Sequence, residues 1–286
     1  MERFYRFAGI TFRITGNAED MYREDGVLRP FRVEGPDFDH SVSYRVVDSL
    51  PLPEGEPVFR GSRIQVFRRG MTQTICMGDT ARLPESAHTH IRREGSHSQV
   101  QVLRREVPEG IKPRLVLNTL EAEHHIARRG GFLLHSAFIE VEGKAILFTA
   151  PSGTGKSTQA GLWEEYRGAR VINGDRTAVT VGEAGVFAHG IPYCGTSGIC
   201  RSAVLPVGAI VYLSQGPESV AQPLTGLRAF RRVWEGCSVH LWDREDVELC
   251  ANTVTEAIGQ VPVVHLTCTP DESAVTALEI YLKERR

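Results

Sequence analysis

The chain has 286 residues, enough for one large domain or two modest ones with buried cores. Its 41% hydrophobic and 24% charged content is that of an ordinary globular protein, which excludes a disordered or fibrous chain. A formal net charge of -2 gives no global pull toward nucleic acid or an anionic membrane surface, and neither is expected as a partner.

The opening residues, Met1 to Phe7, are broken by arginines and lack the apolar run of a signal peptide, and no stretch is long enough to span a bilayer. A cytoplasmic location is therefore expected, and self-association into a homo-oligomer is left open. The six cysteines, Cys76, Cys194, Cys200, Cys237, Cys250 and Cys268, form no C-x-x-C pairs. That scatter predicts reduced thiols and neither a disulfide framework nor a zinc site.

Residues 1 to 112 read as a β-rich domain. Gly9 to Ile14, Ser41 to Val46 and Gln99 to Leu103 alternate apolar and polar residues, the period of half-buried strands. Pro- and Gly-rich connections such as Leu50 to Pro57 separate them, and no helix of useful length is expected. His88, His90 and His97 lie in a polar segment with Arg92 and Arg93; their spacing fits no metal pattern, and they are read as solvated loop residues.

After Pro113 the pattern changes. Leu115, Leu117, Leu120, Ala122 and Ile126 follow a helical period that closes at Arg128-Arg129-Gly130-Gly131, which places a domain junction at 112/113 and a second domain over 113–286. Phe132 to Val141 and Lys144 to Thr149 form two strands joined by a tight turn at Glu142-Gly143. His135, Ala137, Ile139 and Val141 share one face of the first, because side chains alternate.

The segment Ala150-Pro151-Ser152-Gly153-Thr154-Gly155-Lys156-Ser157-Thr158 follows the second strand and opens a helix. It matches the Walker A pattern G-x-x-x-x-G-K-[ST] except that Ala150 replaces the first glycine. Successive N–H groups of such a loop, aimed inward at a helix N-terminus, make a nest for polyphosphate oxygens. Nucleotide binding by Ser152, Gly153, Thr154, Gly155, Lys156, Ser157 and Thr158 is the expectation, with Lys156 on the phosphates and the Ser157 hydroxyl on Mg²⁺. The bland alternative is a small-residue connection between a strand and a helix.

The helix carries Ala160, Leu162, Trp163 and Tyr166 and ends at Gly168. Val171 to Asn173 is a short strand with Gly174-Asp175-Arg176 at its end, and Thr177 to Val181 with Val186 to Ala188 make a hairpin. A glycine-rich loop, Gly190 to Arg201, follows. Ala209 to Leu213 is a buried strand, Leu224 to Glu235 and Arg244 to Ile258 are helices, and Pro262 to Leu266 is another strand. Thr269-Pro270-Asp271-Glu272 reads as a capping box opening the last helix.

A phosphoryl-transfer site needs a cation, a metal-holding carboxylate and a group that orients or deprotonates the acceptor. Asp175 is placed either to hold Mg²⁺ or merely to form a turn. His135 either takes the acceptor proton or is a satisfied core histidine. Arg201 either stabilises charge on the transferring group or is solvated.

From His135 through Ser152-Gly153-Thr154-Gly155-Lys156-Ser157 to Asp175, the chain resembles the kinase core of HPr kinase/phosphorylase. The loop is also similar to that of ATP-dependent phosphoenolpyruvate carboxykinase. The likeness covers residues 113 to 286. It implies an α/β fold with a mixed sheet and a P-loop, preceded here by the β-rich N-terminal domain, with ATP and Mg²⁺ as cofactors and phosphoryl transfer to a serine-type hydroxyl of a peptide, protein or small molecule. It assigns Lys156 to phosphate, Ser157 and Asp175 to the metal and His135 to the acceptor side. The N-terminal domain lies outside the likeness; it either recognises the acceptor or extends the kinase sheet and serves stability alone. The chain departs from that family where paired aspartates become Gly174-Asp175, and where an arginine- and glycine-containing segment becomes Gly195-Thr196-Ser197-Gly198 with Arg201 nearby. Two other readings are a nucleotide-binding regulatory protein with little turnover and a carboxykinase-like lyase.

Overall fold

The structure, a computed structural model, describes residues 1–21, 26–35, 37–78 and 83–284. The chain divides into two compact units, Met1–Glu121 and Ala122–Arg286. Each contains a large mixed sheet.

The first unit contains β1 (Glu2–Phe7), β2 (Ile10–Gly16), β3 (Arg32–Val33), β4 (His40–Val47), β5 (Glu56–Arg60), β6 (Ile64–Arg69), β7 (Thr72–Met77), β8 (Thr89–Glu94), β9 (His97–Leu103) and the helix α1 (Pro113–Thr119). The strands lie in the order β3-β1-β2-β4-β9-β8-β7-β6-β5. The pairs β2–β4 and β4–β9 are parallel and the others antiparallel. The three alternating stretches of the sequence fall on adjacent central strands, β2, β4 and β9. Their inward residues, among them Phe12, Ile14, Val42, Val100 and Val102, are fully buried. Phe7 stacks on Phe12 and meets Phe31 edge-on, and each such ring buries enough area to stabilise the sheet by roughly 2–3 kcal/mol.

Two expectations for this unit change. His90 and His97 are strand residues: His90 is buried, with its pKa lowered to about 4 by desolvation, while His97 is exposed with Nδ1 2.8 Å from Ser41 Oγ. The helical run after Pro113 is two helices, α1 and α2 (Ala122–Ala127), because Glu121 adopts a left-handed φ of 51°. Its buried carboxylate lies 3.5 Å from the Arg93 guanidinium, so α1 belongs to the first unit and the junction falls at 121/122 instead of 112/113.

The second unit contains α2, β10 (Gly131–Val141), β11 (Lys144–Thr149), α3 (Lys156–Arg167), β12 (Arg170–Asn173), β13 (Arg176–Gly182), β14 (Gly185–Gly190), β15 (Val204–Gln215), β16 (Val220–Leu224), α4 (Gly226–Trp234), β17 (Cys237–Ser238), α5 (Arg244–Gln260), β18 (Val263–Cys268) and α6 (Glu272–Lys283). β10 and β15 are long enough to serve two sheets. Residues 131–135 of β10 pair with β13 and residues 136–141 with β11, while the start of β15 pairs with β14 and its remainder runs parallel to both β11 and β18. The pairings β10–β13–β14–β15–β11–β10 thus close on themselves, with β10 turning the corner at residues 135–136.

β11 sits at the middle and is apolar on both faces, as a strand covered on both sides must be. Ile146 and Phe148 join the core with Ala160 and Trp163 of α3 and Val275 and Leu278 of α6. Ala145 and Leu147 join the opposite core with Val233 of α4 and Val254 and Ala257 of α5. The edge strand β16, which the sequence reading left unassigned, carries Pro223 at a position where a missing N–H is tolerated. The last helix is capped two residues later than the expected box: Asp271 accepts from Ser273 N–H at 2.9 Å, and Thr269 instead lies 2.9 Å from Ser219 Oγ. Among the described residues no helix is long and apolar enough to cross a membrane.

Candidate active site

β11 ends at Thr149, beside Tyr212 of the parallel β15, and the chain then turns through residues 150–155 into α3. Gly153 and Gly155 have φ of 81° and 115°, a backbone that glycine adopts without strain. A Cβ built on Gly153 would meet nothing within 4 Å, so the loop is open at that point. Ser152, Ser157 and Thr158 are exposed and Thr154 is half-buried. The helix starts at Lys156, and the N–H groups of its first turn, which lack acceptors within the helix, lie at this opening.

Lys156 is 8% exposed. Its Nζ donates to two carbonyls of its own loop, Ala150 O at 3.0 Å and Pro151 O at 3.4 Å. Burial lowers its pKa, and the charge of Asp175 acts in the opposite direction. Among the described residues the hydrogen bonds of Nζ go to these two neutral carbonyls, and the Asp175 carboxylate is the charge that acts on it.

The corner of β10 brings His135 to Asp175. Ser136 N–H donates to Asp175 O at 3.0 Å, and His135 Nε2 lies 3.5 Å from Asp175 Oδ1. The backbone of His135 is held on both sides: its N–H donates to Gly236 O at 2.8 Å, and its carbonyl accepts from the Thr149 hydroxyl at 3.0 Å. A Cβ at Gly236 would stand 2.5 Å from Thr149 Oγ1 and would force that hydroxyl to move. The imidazole is over a third exposed, so His135 is not a core histidine.

Asp175 is presented by an Asn-centred turn. Asn173 Oδ1 accepts from the N–H groups of Asp175 (2.8 Å) and Arg176 (3.0 Å), while its Nδ2 donates to Ile191 O at 2.7 Å. Hydrogen bonding to His135 holds the Asp175 carboxyl below the usual carboxylate range; burial opposes this, and the charges of Arg176, His135 and Lys156 support it. Arg176 Nε lies 3.7 Å from Asp175 Oδ2, and its guanidinium lies over the Tyr193 ring at 5.5 Å.

The expected arginine, Arg201, is exposed, with its N–H bonded to Ile172 O at 2.9 Å, and no hydrogen bond or ion pair among the described residues joins its side chain to His135, Lys156 or Asp175. Among the described residues, the arginine whose ion pair reaches Asp175 is Arg176. Its sequence clue was adjacency to Asp175, which alternation alone would put on the opposite face; the Asn173 turn removes that constraint. Gln215 also escaped notice: its Nε2 donates to Thr154 O at 3.4 Å, from the end of β15.

The glycine-rich loop packs against Gly174 and Asp175. Gly195 and Gly198 have positive φ, the segment Gly195–Ser197 forms a single tight turn, and Cys194 and Cys200 are joined by a disulfide with their Cα atoms 5.0 Å apart. The expectation of reduced thiols throughout is therefore corrected at this pair, which the turn brings together. A Cβ at Gly174 would overlap Ser197 Oγ, and one at Gly195 would stand 2.7 Å from Asp175 Cβ. A side chain at position 174 would have to displace Ser197. A cavity of about 760 Å³ lies at the other end of β11, around Lys144 and Trp163, away from these groups.

No family model and no curated protein matches the chain. Among solved structures, the HPr(Ser) kinase/phosphatase from Coxiella burnetii, a kinase, is a distant neighbour with a TM-score of 0.31 and 11% sequence identity, covering 54% of this chain and 93% of that chain. The functional reading of the site therefore rests on its own geometry.

Proposed function

We propose that the chain is an ATP-dependent kinase that transfers the γ-phosphoryl group to a serine-type hydroxyl of a peptide, protein or small molecule. The observation that carries this reading is the buried Lys156 ammonium at the head of α3, beside an open glycine loop and within the field of Asp175. The loop and Lys156 bind the phosphates of ATP. Ser157 and Asp175 offer the oxygen donors that suit Mg²⁺, which would offset phosphate charge when bound.

His135 accepts the proton of the acceptor hydroxyl, with Asp175 beside it to stabilise the imidazolium that forms. Arg176 adds a planar donor toward the transferring oxygens. A cavity of about 340 Å³ inside the first unit, edged by His88, Lys112 and Arg114, supports assigning acceptor recognition to that unit.

A second reading, a nucleotide-binding regulator with little turnover, is favoured by one observation: Ser197 fills the space a second carboxylate at position 174 would need. Incubation with γ-labelled ATP and Mg²⁺ against free serine, related hydroxy compounds and serine-containing peptides separates the two. Label on one acceptor is the expected result. Tight ATP binding with label on none of them, and no release of phosphate, would favour the regulator.

A further inference from the structure

Three side chains that the phosphoryl-transfer reading leaves unused converge inside the second unit. His124 on α2, His240 after β17 and Asp246 in the first turn of α5 are 8%, 4% and 0% exposed. One donor atom from each lies within 4.8 Å of the others. His124 Nδ1 is 2.7 Å and His240 Nδ1 3.6 Å from the same oxygen, Asp246 Oδ2.

The remaining atoms of His240 and Asp246 meet charged partners, which can orient them as groups behind a metal's ligands do. The other nitrogen of His240, Nε2, is 3.4 Å from Glu123 Oε1, and the other oxygen of Asp246, Oδ1, is 3.4 Å from Arg128 Nε. His240 is further fixed by stacking on Trp242, with ring centroids 4.4 Å apart. Two imidazole nitrogens and one carboxylate oxygen suit zinc, cobalt or nickel; magnesium and calcium prefer oxygen alone. Ligands about 2.0–2.2 Å from a zinc ion stand roughly 3.3 Å apart, so small rotations of the two rings would close the cluster onto one ion.

We propose that His124, His240 and Asp246 form a three-ligand site for one zinc-class divalent ion, with a water to complete its tetrahedron, which ties α2 to the first turn of α5. The ion would also anchor the segment after Gly236, whose carbonyl receives the His135 N–H. The proposal is independent of the kinase reading.

The test uses the untagged full-length chain, stripped with a chelator and titrated with Co²⁺ under visible absorption. The expected result is a d–d spectrum saturating at one ion per chain without a thiolate charge-transfer band. It should be retained in Asp175→Asn, lost in His240→Gln, and weakened about 10–100-fold in affinity in Glu123→Gln. The stripped wild-type chain should also melt at higher temperature when Zn²⁺ is added, because an ion that binds only the folded state stabilises it. A folded wild-type chain that gives no such spectrum and no Zn²⁺-dependent rise in melting would overturn the site, as would a spectrum that survives His240→Gln but vanishes in Asp175→Asn.

Discussion

His135 Nε2 stands 3.5 Å from Asp175 Oδ1, and the two residues are tied again through the backbone by the Ser136 N–H to Asp175 O bond of 3.0 Å. A histidine that accepts a proton must be neutral, so protonating the imidazole should stop the transfer. His135→Gln is expected to lower kcat about 100-fold or more and to flatten the acidic limb of the pH–rate profile. A variant with the wild-type limb would remove His135 from the proton path.

Asp175 should report on stability as well as on rate. Its folded pKa is depressed, so its stabilising contribution is complete above the unfolded carboxylate value of about 3.9 and is lost as pH falls through the lower folded value. Asp175→Asn should therefore melt below wild type at neutral pH, with the gap closing as pH drops below about 4. Melting curves across that window check the sign, and a constant gap would contradict it.

Lys156 has the opposite balance. Burial disfavours its charged form, and Asp175 only partly compensates, so the folded chain carries a penalty that lasts until pH rises through the lowered folded value toward the unfolded one. Lys156→Met should abolish label transfer, at least about 100-fold, while leaving the melting temperature at neutral pH unchanged or raised. Loss of folding by circular dichroism would show that the ammonium holds the loop together instead.

Position 174 tests the steric account of the missing aspartate. Gly174→Asp should not add catalytic power; it should cost about 1–3 kcal/mol of stability by forcing Ser197 aside. Combining it with Ser197→Gly should recover part of that loss, a coupling of roughly 0.5 kcal/mol or more between groups in contact. Additive denaturation midpoints would place the clash elsewhere.

The two arginines separate cleanly. Arg176→Lys keeps the charge but removes the fork, and kcat should fall about 10- to 100-fold, the equivalent of the 1.5–3 kcal/mol of one charge-assisted hydrogen bond. Arg201→Lys should leave kcat unchanged. Steady-state kinetics of both variants on the same acceptor decide between them, and the reverse ranking would restore Arg201 to the site.

What the sequence determined by itself is what depends on near neighbours. The apolar run of β11, the turn at Glu142-Gly143, the positive-φ glycines at 153 and 155 and the start of α3 are all set within a few residues, by side-chain alternation and by backbone sterics. The Lys156 loop and the strand-end Asp175 were legible for that reason.

Tertiary structure alone decided how His135 meets Asp175, because that depends on β10 changing partners between residues 135 and 136. It decided that Arg176 and not Arg201 pairs with Asp175, through the Asn173 turn, and that Cys194 and Cys200 pair across the Gly195–Ser197 turn. It also gathered His124, His240 and Asp246 from distant parts of the chain. No local period encodes such contacts, since they exist only once both cores have packed and fixed the strands that carry them.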